Sequence, residues 1–489
     1  MGIVFKQSLK NMLTTYLGFA LGAVNTLFLF TYFLSKSEYG LVGYVTSTAT
    51  ILSPVVAFGV HHTFIRFHSR YDDSGEQSRF HFMLLLLPLL TIIPMTFIGI
   101  VAYEALVRWL SRENEIVGEY VWLIFITAIA MAYFEIAYAW ARVHLRTVAG
   151  NFLKEVFHRA GVMALLGMMY LEWIDFKQLM YGIFIVYFLR MVLMLASAFV
   201  VYRPVLRMGF PTDRFEILRY SLYILVSGSV ASLMIDLDKF MINQYLPIGE
   251  IAVYNVAIFT ATVIAIPYRA MYQIVSPLTA QYINQRKESD LHRLYHQSTV
   301  NIYLISVIIF ILIVSNATQL YRLLSDESYA AGISVLMIVS VVKLSDALVG
   351  ISNAILFNSV YYRTILYLGI GLVLAGIGLN SWLIPIFGIN GAAIATLIAF
   401  LFYNILKIIV VYQKFKLHPF SPEVLRTSVF AVLMLLVFIG FDFSFHPLVN
   451  IVLKSFSILI ISFLVIIYGR LSNDFLERFR KILKLKKGD

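Results

Sequence analysis

Cysteine is absent from the 489-residue sequence, and charged residues are scarce. The first absence excludes disulfide bonds, thiolate metal sites and cysteine nucleophiles. Charged residues make up 13% of the chain and hydrophobic residues 60%, with a mean hydropathy of +0.83. A soluble protein has about 25% charged and about 45–50% apolar residues. The composition therefore predicts an integral membrane protein that crosses the bilayer many times.

Long loops and common catalytic motifs are absent as well. The segments between the apolar runs are no longer than about 20 residues. The phosphate-binding P-loop pattern and the His-Glu-x-x-His metal pattern are missing. These absences argue against an ATP-driven pump and against a membrane enzyme. The net charge of +11 need not indicate nucleic acid, and we expect no nucleic-acid partner.

Runs of about 20 apolar residues mark candidate transmembrane helices. Fourteen such runs predict an all-α integral membrane fold with about 14 transmembrane helices. The predicted spans are 12–34, 41–64, 82–103, 120–141, 155–173, 178–202, 220–246, 249–276, 296–319, 331–357, 364–385, 388–412, 424–443 and 447–469. The first run is too long for the apolar region of a signal peptide, so we expect it to remain as the first helix.

Lysine and arginine are distributed unevenly between the two ends of these spans. With the N-terminus placed in the cytoplasm, 28 of the 38 lie in inner segments or the adjoining span ends, five in outer loops and five inside spans. This asymmetry follows the positive-inside rule. It predicts an even number of helices and a cytoplasmic location for both termini.

An internal repeat relates the two halves of the chain. Residues 31–52 align without a gap with residues 243–264, with five identities at an offset of 212. Six predicted helices separate the copies, so both halves have the same topology, and a parallel repeat of this kind is typical of transporters. We predict six-helix lobes at 1–202 and 203–412, two additional helices at 413–470 and a basic cytoplasmic tail at 471–489.

The predicted span 220–246 carries charges that are unusual inside a membrane. Its polar side chains recur on one helical face. They are Ser229, Ser232, Asp236, Lys239 and Asn243. A charge at the bilayer centre costs about 2.5–3.5 kcal/mol on insertion scales and usually faces a polar cavity or a partner. Asp238 lies about 200° around the helix from Asp236, so the two carboxylates cannot both face one small ligand. We expect Asp238 to pair with another helix.

Other predicted spans carry further candidates. Cations in or near the spans predict an anion site, and the acidic side chains are candidates for ion coupling or for internal ion pairs. The anion-site candidates are Arg66, Lys239, Arg269 and Lys343, with Asn25 and Asn255 as polar neighbours; the acidic candidates are Glu135, Asp236, Asp238 and Asp346. The alternative for all of them is structural pairing between helices. We expect no metal and no cofactor, apart from a proton or sodium gradient.

Three stretches resemble a known family. Residues 34–59 (LSKSEYGLVGYVTSTATILSPVVAFG), 238–254 (DKFMINQYLPIGEIAVY) and 388–396 (GINGAAIAT) are similar to the turn between helices 1 and 2, helix 7 with its entry to helix 8, and the start of helix 12. These occur in polysaccharide-biosynthesis flippases of the multidrug/oligosaccharidyl-lipid/polysaccharide (MOP) exporter superfamily, often called Wzx-type flippases. Lys239 and Arg269 match cationic positions of that family, and Arg66 matches one loosely.

The resemblance implies a MATE-like pair of six-helix lobes around a cationic lumen. It implies transport of an undecaprenyl-diphosphate-linked oligosaccharide from the cytoplasmic to the outer leaflet of a bacterial inner membrane, by alternating access. Membrane lipids, a polysaccharide polymerase and glycosyltransferases are the implied partners. The alternatives are an ion-coupled drug or cation antiporter or a lipid II flippase of the same superfamily, and, from another class, a membrane polysaccharide polymerase or ligase.

Overall fold

The computed structural model describes residues 2–71, 74–144, 146–203, 208–228, 230–469 and 471. Ser229 and the predicted basic tail beyond residue 471 lie outside this part. All regular secondary structure in the described residues is helical, which confirms the predicted all-α class. Eleven helices in the same residues are long and apolar enough to cross a membrane.

The three remaining predicted spans are also helical in the described residues, although they are not among these eleven. Helix Pro422–Phe438 has only 17 residues. The span predicted at 220–246 is helical over Arg214–Gly228 and Val230–Tyr245, and residue 229 between them lies outside the described residues. The span predicted at 155–173 carries the charged Glu155 and Arg159 near its start, where the chain is π-helical over Leu153–Phe157.

The chain forms two compact units, Met1–Asn255 and Val256–Asp489. The first extends past residue 202, where the predicted lobe ends, and the lobe division stays a prediction about the repeat. The α-helices of the first unit are α1 (Gly2–Ala23), α2 (Phe30–Phe33), α3 (Lys36–Val56), α4 (Val60–Phe67), α5 (Ser74–Leu86), α6 (Leu89–Val101), α7 (Tyr103–Leu110), α8 (Val121–Val143), α9 (Val148–Phe152), α10 (His158–Tyr170), α11 (Phe176–Val201), α12 (Arg214–Gly228) and α13 (Val230–Tyr245), and α14 (Gly249–Thr262) begins in it.

Helix α8 is central to the first unit. Most of its residues are buried, and it packs against α3, α4 and α11. Its sequence is apolar around almost the whole circumference, which is expected of a helix enclosed by others. Two π-helical segments, Val24–Leu29 after α1 and Leu153–Phe157 before α10, lie beside α1 and α10.

The repeated segments contact each other within the first unit. Helix α3 begins after Ser35, whose side chain accepts from the Glu38 N–H while the Glu38 carboxylate accepts from the Ser35 N–H at 2.8 Å. A Cβ at Gly40 would lie 2.0 Å from the Ile248 carbonyl oxygen, so only glycine permits this approach. These residues of the family-like stretch therefore cap and pack helices.

Equivalent positions of the repeat also meet. Gly43 and Asn255 are related by the 212-residue offset, and a Cβ at Gly43 would lie 2.2 Å from Asn255 Nδ2. Gly249 likewise lies against Ser37, its equivalent in the first copy. Equivalent positions touch in this way when they lie close to the axis that relates two copies, which supports the internal repeat.

The second unit is organised around a 34-residue helix. Its α-helices are α15 (Ile266–Asn284), α16 (Glu288–Tyr321), α17 (Gly332–Val349), α18 (Ser352–Phe357), α19 (Tyr362–Phe387), α20 (Ile389–Phe415), α21 (Pro422–Phe438) and α22 (Pro447–Gly469). The long helix α16 packs against α15, α17, α21 and α22, and α19 packs against α20. Gly388, with φ +60°, makes the turn between α19 and α20, which positions the third family-like stretch.

Candidate functional site

The C-terminal end of α13 is fixed by a polar contact with the loop after α7. Asn114 is buried, and its amide N–H groups donate to the carbonyl oxygens of Asn243 and Leu246 at 3.1 and 3.0 Å and to Asn243 Oδ1 at 3.1 Å. Asn114 Oδ1 accepts from the Ile248 N–H at 2.8 Å. Asn243 in turn donates to the Leu110 carbonyl at 2.9 Å. The loop residue Asn114, which the sequence analysis did not select, holds the helix that carries the predicted charges.

The predicted charges of α13 are divided between two environments. Lys239 Nζ lies 3.2 Å from Asp236 Oδ1, and each side chain is 15% exposed. Asp238 is 1% exposed and accepts from the Tyr254 hydroxyl of α14 at 2.6 Å. The two carboxylates diverge as their spacing requires, and Asp238 does interact with another helix. Lys239 is balanced by a carboxylate of its own helix, so an incoming anion would compete with Asp236.

Glu135 of α8 also has a cationic partner. Lys154 Nζ lies 2.6 Å from Glu135 Oε1. About two helical turns further along α8, the Arg142 guanidinium lies 4.0 Å from the centre of the Tyr138 ring. Lys154 is one of the 28 cations that the sequence places on the cytoplasmic side, and its pairing with Glu135 is not predicted from the sequence. The residue lies in a π-helical segment, and such segments often occur at functional sites.

A second pair, between Glu155 of this segment and Arg159 of α10, contacts the candidate Asn25. Arg159 Nη1 donates to Glu155 Oε2 at 2.9 Å and to the Glu155 carbonyl at 2.8 Å. Asn25 is buried in the other π-helical segment, and its Nδ2 donates to the Arg159 carbonyl at 2.8 Å. A Cβ at Gly18 would lie 2.5 Å from the Glu155 carbonyl oxygen. The absence of a side chain at Gly18 therefore lets α1 approach this pair.

Arg190 of α11 is the charged residue of this region that the sequence analysis left without a role. It is 7% exposed, and its guanidinium lies 4.3 Å from the ring centre of Phe134 and 4.8 Å from that of Tyr187. Within the described residues, its Nε has no hydrogen-bond acceptor. In the sequence, the charge of Arg190 in the middle of the apolar span 178–202 is the feature that marks it as a candidate. We call the residues Glu135, Lys154, Glu155, Arg159 and Arg190 the unit 1 charged cluster.

The two remaining candidates of the first unit lie apart from these pairs. Arg66 is exposed near the end of α4, with its guanidinium 4.4 Å from the Tyr220 ring centre. Asn255 packs against the backbone of Gly43. Both are in contact with structural neighbours, and neither contact selects between a binding role and a packing role.

The second unit holds its own buried polar network. Asp346 Oδ1 accepts from Asn404 Nδ2 at 2.9 Å. Lys407 is 3% exposed, and its Nζ donates to Asn353 Oδ1 at 3.4 Å and lies 4.2 Å from the Tyr403 ring centre. From its position in the sequence, Lys407 belongs to the inner end of a predicted span, whereas in the structure it is buried in α20.

Lys343 and Arg269 occupy different positions in this unit. Lys343 is half-buried on α17, and its Nζ lies 5.8 Å from the Phe400 ring centre. Arg269 is exposed on α15, two residues after Pro267. A common site for Lys239, Arg269 and Lys343 stays a prediction.

A histidine group lies at one end of the first unit, beyond the predicted spans 41–64 and 120–141. The His68 ring is centred 5.0 Å from His144 and 5.9 Å from His81. Burial, and then the charge of His144, lower the pKa of His68 below its usual value. His68 is thus held in its neutral form to lower pH than a solvated histidine.

Comparisons with known proteins bear on the family and the fold of the chain. A family model described as "Polysaccharide biosynthesis protein" matches residues 4–281, which is more than half of the chain. A model described as "MatE" matches residues 223–382. No curated protein matches the sequence.

Solved structures share the fold. The chain is similar to a structure described as "Lipid II flippase MurJ, inward closed conformation", with a TM-score of 0.71 and 13% identity over 94% of this chain and 99% of that one. It is similar to an inward-facing multidrug resistance MATE family transporter of the MOP superfamily, with a TM-score of 0.63 and 15% identity over 85% of this chain and 95% of that one. A MOP superfamily transporter from Pyrococcus furiosus, whose binding pocket is described as having reverse polarity, gives a TM-score of 0.58 and 15% identity over the same shares. At these identities the likeness establishes the fold alone.

Proposed function

We propose, because the chain belongs to the polysaccharide biosynthesis protein family, that it is a flippase for a lipid-linked oligosaccharide. Its fold is that of MOP-superfamily transporters. The substrate we propose is an undecaprenyl-diphosphate-linked glycan, which moves from the cytoplasmic to the outer leaflet by alternating access and serves the assembly of a cell-surface polysaccharide. The protein moves this molecule across the membrane and makes or breaks no bond in it.

The balance of charge in the first unit is the observation that carries the proposal. The unit 1 charged cluster contains three cations and two carboxylates, and Arg142 lies close enough to act electrostatically on Glu135. Charges inside membrane helices mark substrate or ion pathways. A diphosphate carries negative charge and several acceptor oxygens, so it matches a cationic excess better than a cationic drug does.

The predicted residues then have the following roles. Arg66, Lys239, Arg269 and Lys343 bind the lipid diphosphate, with Asn25 and Asn255 as polar contacts to diphosphate or sugar. Asp236, Asp238, Asp346 and Glu135 keep the cations balanced between transport cycles or take up a coupling ion. The Asp236–Lys239 contact at 3.2 Å supports this view, because the diphosphate can replace the carboxylate on Lys239.

The location and partners follow from the same proposal. The protein lies in a bacterial inner membrane, with both termini in the cytoplasm, and works with glycosyltransferases and a polysaccharide polymerase. The repeat forms six-helix lobes at 1–202 and 203–412, with two further helices at 413–470. The uneven distribution of lysine and arginine supports this orientation.

A transport assay tests the proposal. Proteoliposomes receive undecaprenyl-diphosphate oligosaccharide in one leaflet, and an enzyme outside the vesicle detects the sugar that reaches the other leaflet. We expect Lys239→Ala, Arg269→Ala and Lys343→Ala each to slow delivery, while Arg112→Ala, at a 77% exposed side chain in a loop, leaves it unchanged. Wild-type delivery in all three variants would exclude the proposed anion contacts.

Two further arms separate the alternatives. Lipid II is supplied in parallel because of the fold shared with a lipid II flippase, and faster movement of lipid II than of the oligosaccharide would favour that second candidate. Asp236→Asn and Asp346→Asn are assayed with and without proton or sodium gradients. A gradient dependence that survives in both variants would remove these carboxylates as coupling sites.

A further inference from the structure

Arg190 is one of three buried cations of the described residues, with Lys407 and Lys454. Lys454 lies 3.1 Å from a carboxylate oxygen, and Lys407 donates to the Asn353 amide oxygen. The less buried Lys154, Arg159 and Lys239 each lie within 3.2 Å of a carboxylate oxygen. Arg190 has two aromatic rings instead, at 4.3 and 4.8 Å. Aromatic faces attract a cation, but they do not replace the acceptors that five guanidinium N–H groups require.

Burial of the Arg190 charge is energetically unfavourable without a further partner. Arginine remains charged in proteins, so it cannot relieve burial by losing a proton. An uncompensated buried charge destabilises a protein by several kcal/mol. The carboxylates of Glu135 and Glu155 act on Arg190 through space, but each is bonded to its own cation. The cluster therefore retains one positive charge that its own residues do not neutralise by contact.

The surroundings of Arg190 fit an acceptor-rich anion. Arg159 lies within electrostatic range of Arg190, and the two are on adjacent packed helices, α10 and α11. The planar guanidinium fork matches phosphate and carboxylate oxygens in pairs. The irregular π-helical segment Leu153–Phe157 lies one turn before Arg159. A phosphate group that bridges the two guanidinium groups would satisfy Arg190 without breaking the Glu135–Lys154 pair.

We propose that Arg190 and Arg159 form an oxyanion site inside the first unit, and that this site takes a phosphate group. The phosphate comes either from a lipid-linked diphosphate or from free phosphate or pyrophosphate. The first source rests on the proposed flippase function and adds to it a subsite formed by α10 and α11. The site itself is a property of the first unit and is measured without transport.

Binding to the purified full-length protein tests the site. The apparent Tm is measured in detergent with inorganic phosphate, with pyrophosphate and with undecaprenyl diphosphate, and binding of each is measured directly by calorimetry or native mass spectrometry. The variants are Arg190→Gln, which removes the charge, and Arg190→Lys, which keeps the charge but loses the fork. Arg112→Gln, at a 77% exposed arginine whose Nε lies 4.0 Å from Glu113 Oε1, is the matched control.

We expect Arg190→Gln to weaken phosphate binding about tenfold or more, and Arg190→Lys to weaken it less. Arg112→Gln should bind as the wild type does. The ligand-free Tm of Arg190→Gln should equal or exceed that of the wild type, since the substitution removes an unsatisfied charge. A structural arginine would show the opposite, with a lower ligand-free Tm. If Arg190→Gln does not fold, wild-type phosphate binding by Arg190→Lys would overturn the proposal that the Arg190 guanidinium binds the phosphate through its paired N–H groups.

The ligand series identifies the source. Binding of undecaprenyl diphosphate alone assigns the site to a lipid headgroup, and equal binding of pyrophosphate assigns it to a free anion. Absence of binding by all three probes, or wild-type binding by Arg190→Gln, overturns the proposal. If the wild type binds through Arg190 but does not transport the oligosaccharide, the flippase function fails and the site stands.

Discussion

Substitution of Asn114 should loosen the helix that carries Asp236 and Lys239. Asn114→Ala removes three donor contacts and one acceptor contact, and it leaves carbonyl oxygens at the end of α13 without these partners. A hydrogen bond contributes about 0.5–1.5 kcal/mol net, and the three short donor contacts share two N–H groups. Together with the unsatisfied groups, the loss should be about 2–4 kcal/mol. The apparent Tm in detergent should fall by several degrees.

Asn114→Asp makes the test more specific. It keeps the size of the side chain and the acceptor for the Ile248 N–H, but it places a negative oxygen against the carbonyl oxygens of Asn243 and Leu246. We expect it to be at least as destabilising as alanine. Asn284→Ala, at an exposed position, is the control and should leave the Tm unchanged. A wild-type Tm for Asn114→Asp would refute the assignment of the amide N–H groups as the donors.

Three further predictions concern other contacts. Gly40→Ala should abolish accumulation of folded protein, because its Cβ would lie 2.0 Å from the Ile248 carbonyl oxygen. Gly371→Ala, where a Cβ would have no atom within 4 Å, should stabilise α19 by up to about 1 kcal/mol. The expression level and the Tm of the two variants measure these effects. Asp442→Asn should lower the Tm, because it removes the carboxylate 3.1 Å from Lys454, a side chain that is 1% exposed. The double variant Asp442→Asn/Lys454→Met should recover part of that loss. A double variant less stable than Asp442→Asn would contradict this prediction. Since the pKa of His68 is lower in the folded than in the unfolded protein, stability should fall as the pH falls below about 6.5. His68→Asn should reduce this loss of stability between about pH 6.5 and 5, measured by thermal unfolding at each pH. An unchanged pH profile of the variant would exclude His68 as the source of the loss.

The sequence was sufficient for the fold because its strongest signals are local. Apolar runs and the sidedness of lysine and arginine depend only on the bilayer, so they predict helices without knowledge of their packing. The divergence of Asp236 and Asp238 follows from helical geometry, and the structure places them against Lys239 and Tyr254, respectively. Helix Pro422–Phe438 begins about two residues before its predicted span, where Ser421 caps it, and ends about five residues before the predicted end; hydropathy records neither boundary.

Partners that come from another element could not be predicted from the sequence. Glu135 pairs with Lys154 across a turn between helices, and that lysine had been counted as a cytoplasmic loop charge. Asn114 is an ordinary loop residue in the sequence, and only the packing of α13 gives it four contacts. Arg190 was visible as a charge inside a span, but its aromatic surroundings were not.

The contact between Asp236 and Lys239 has a consequence for biosynthesis. Both residues are on one helix, three positions apart, so the pair can form as soon as that turn leaves the ribosome and before any other helix is present. A neutral pair enters the bilayer more readily than two separate charges, each of which costs about 2.5–3.5 kcal/mol. Because both partners are on one helix, the pair does not depend on how that helix packs against its neighbours.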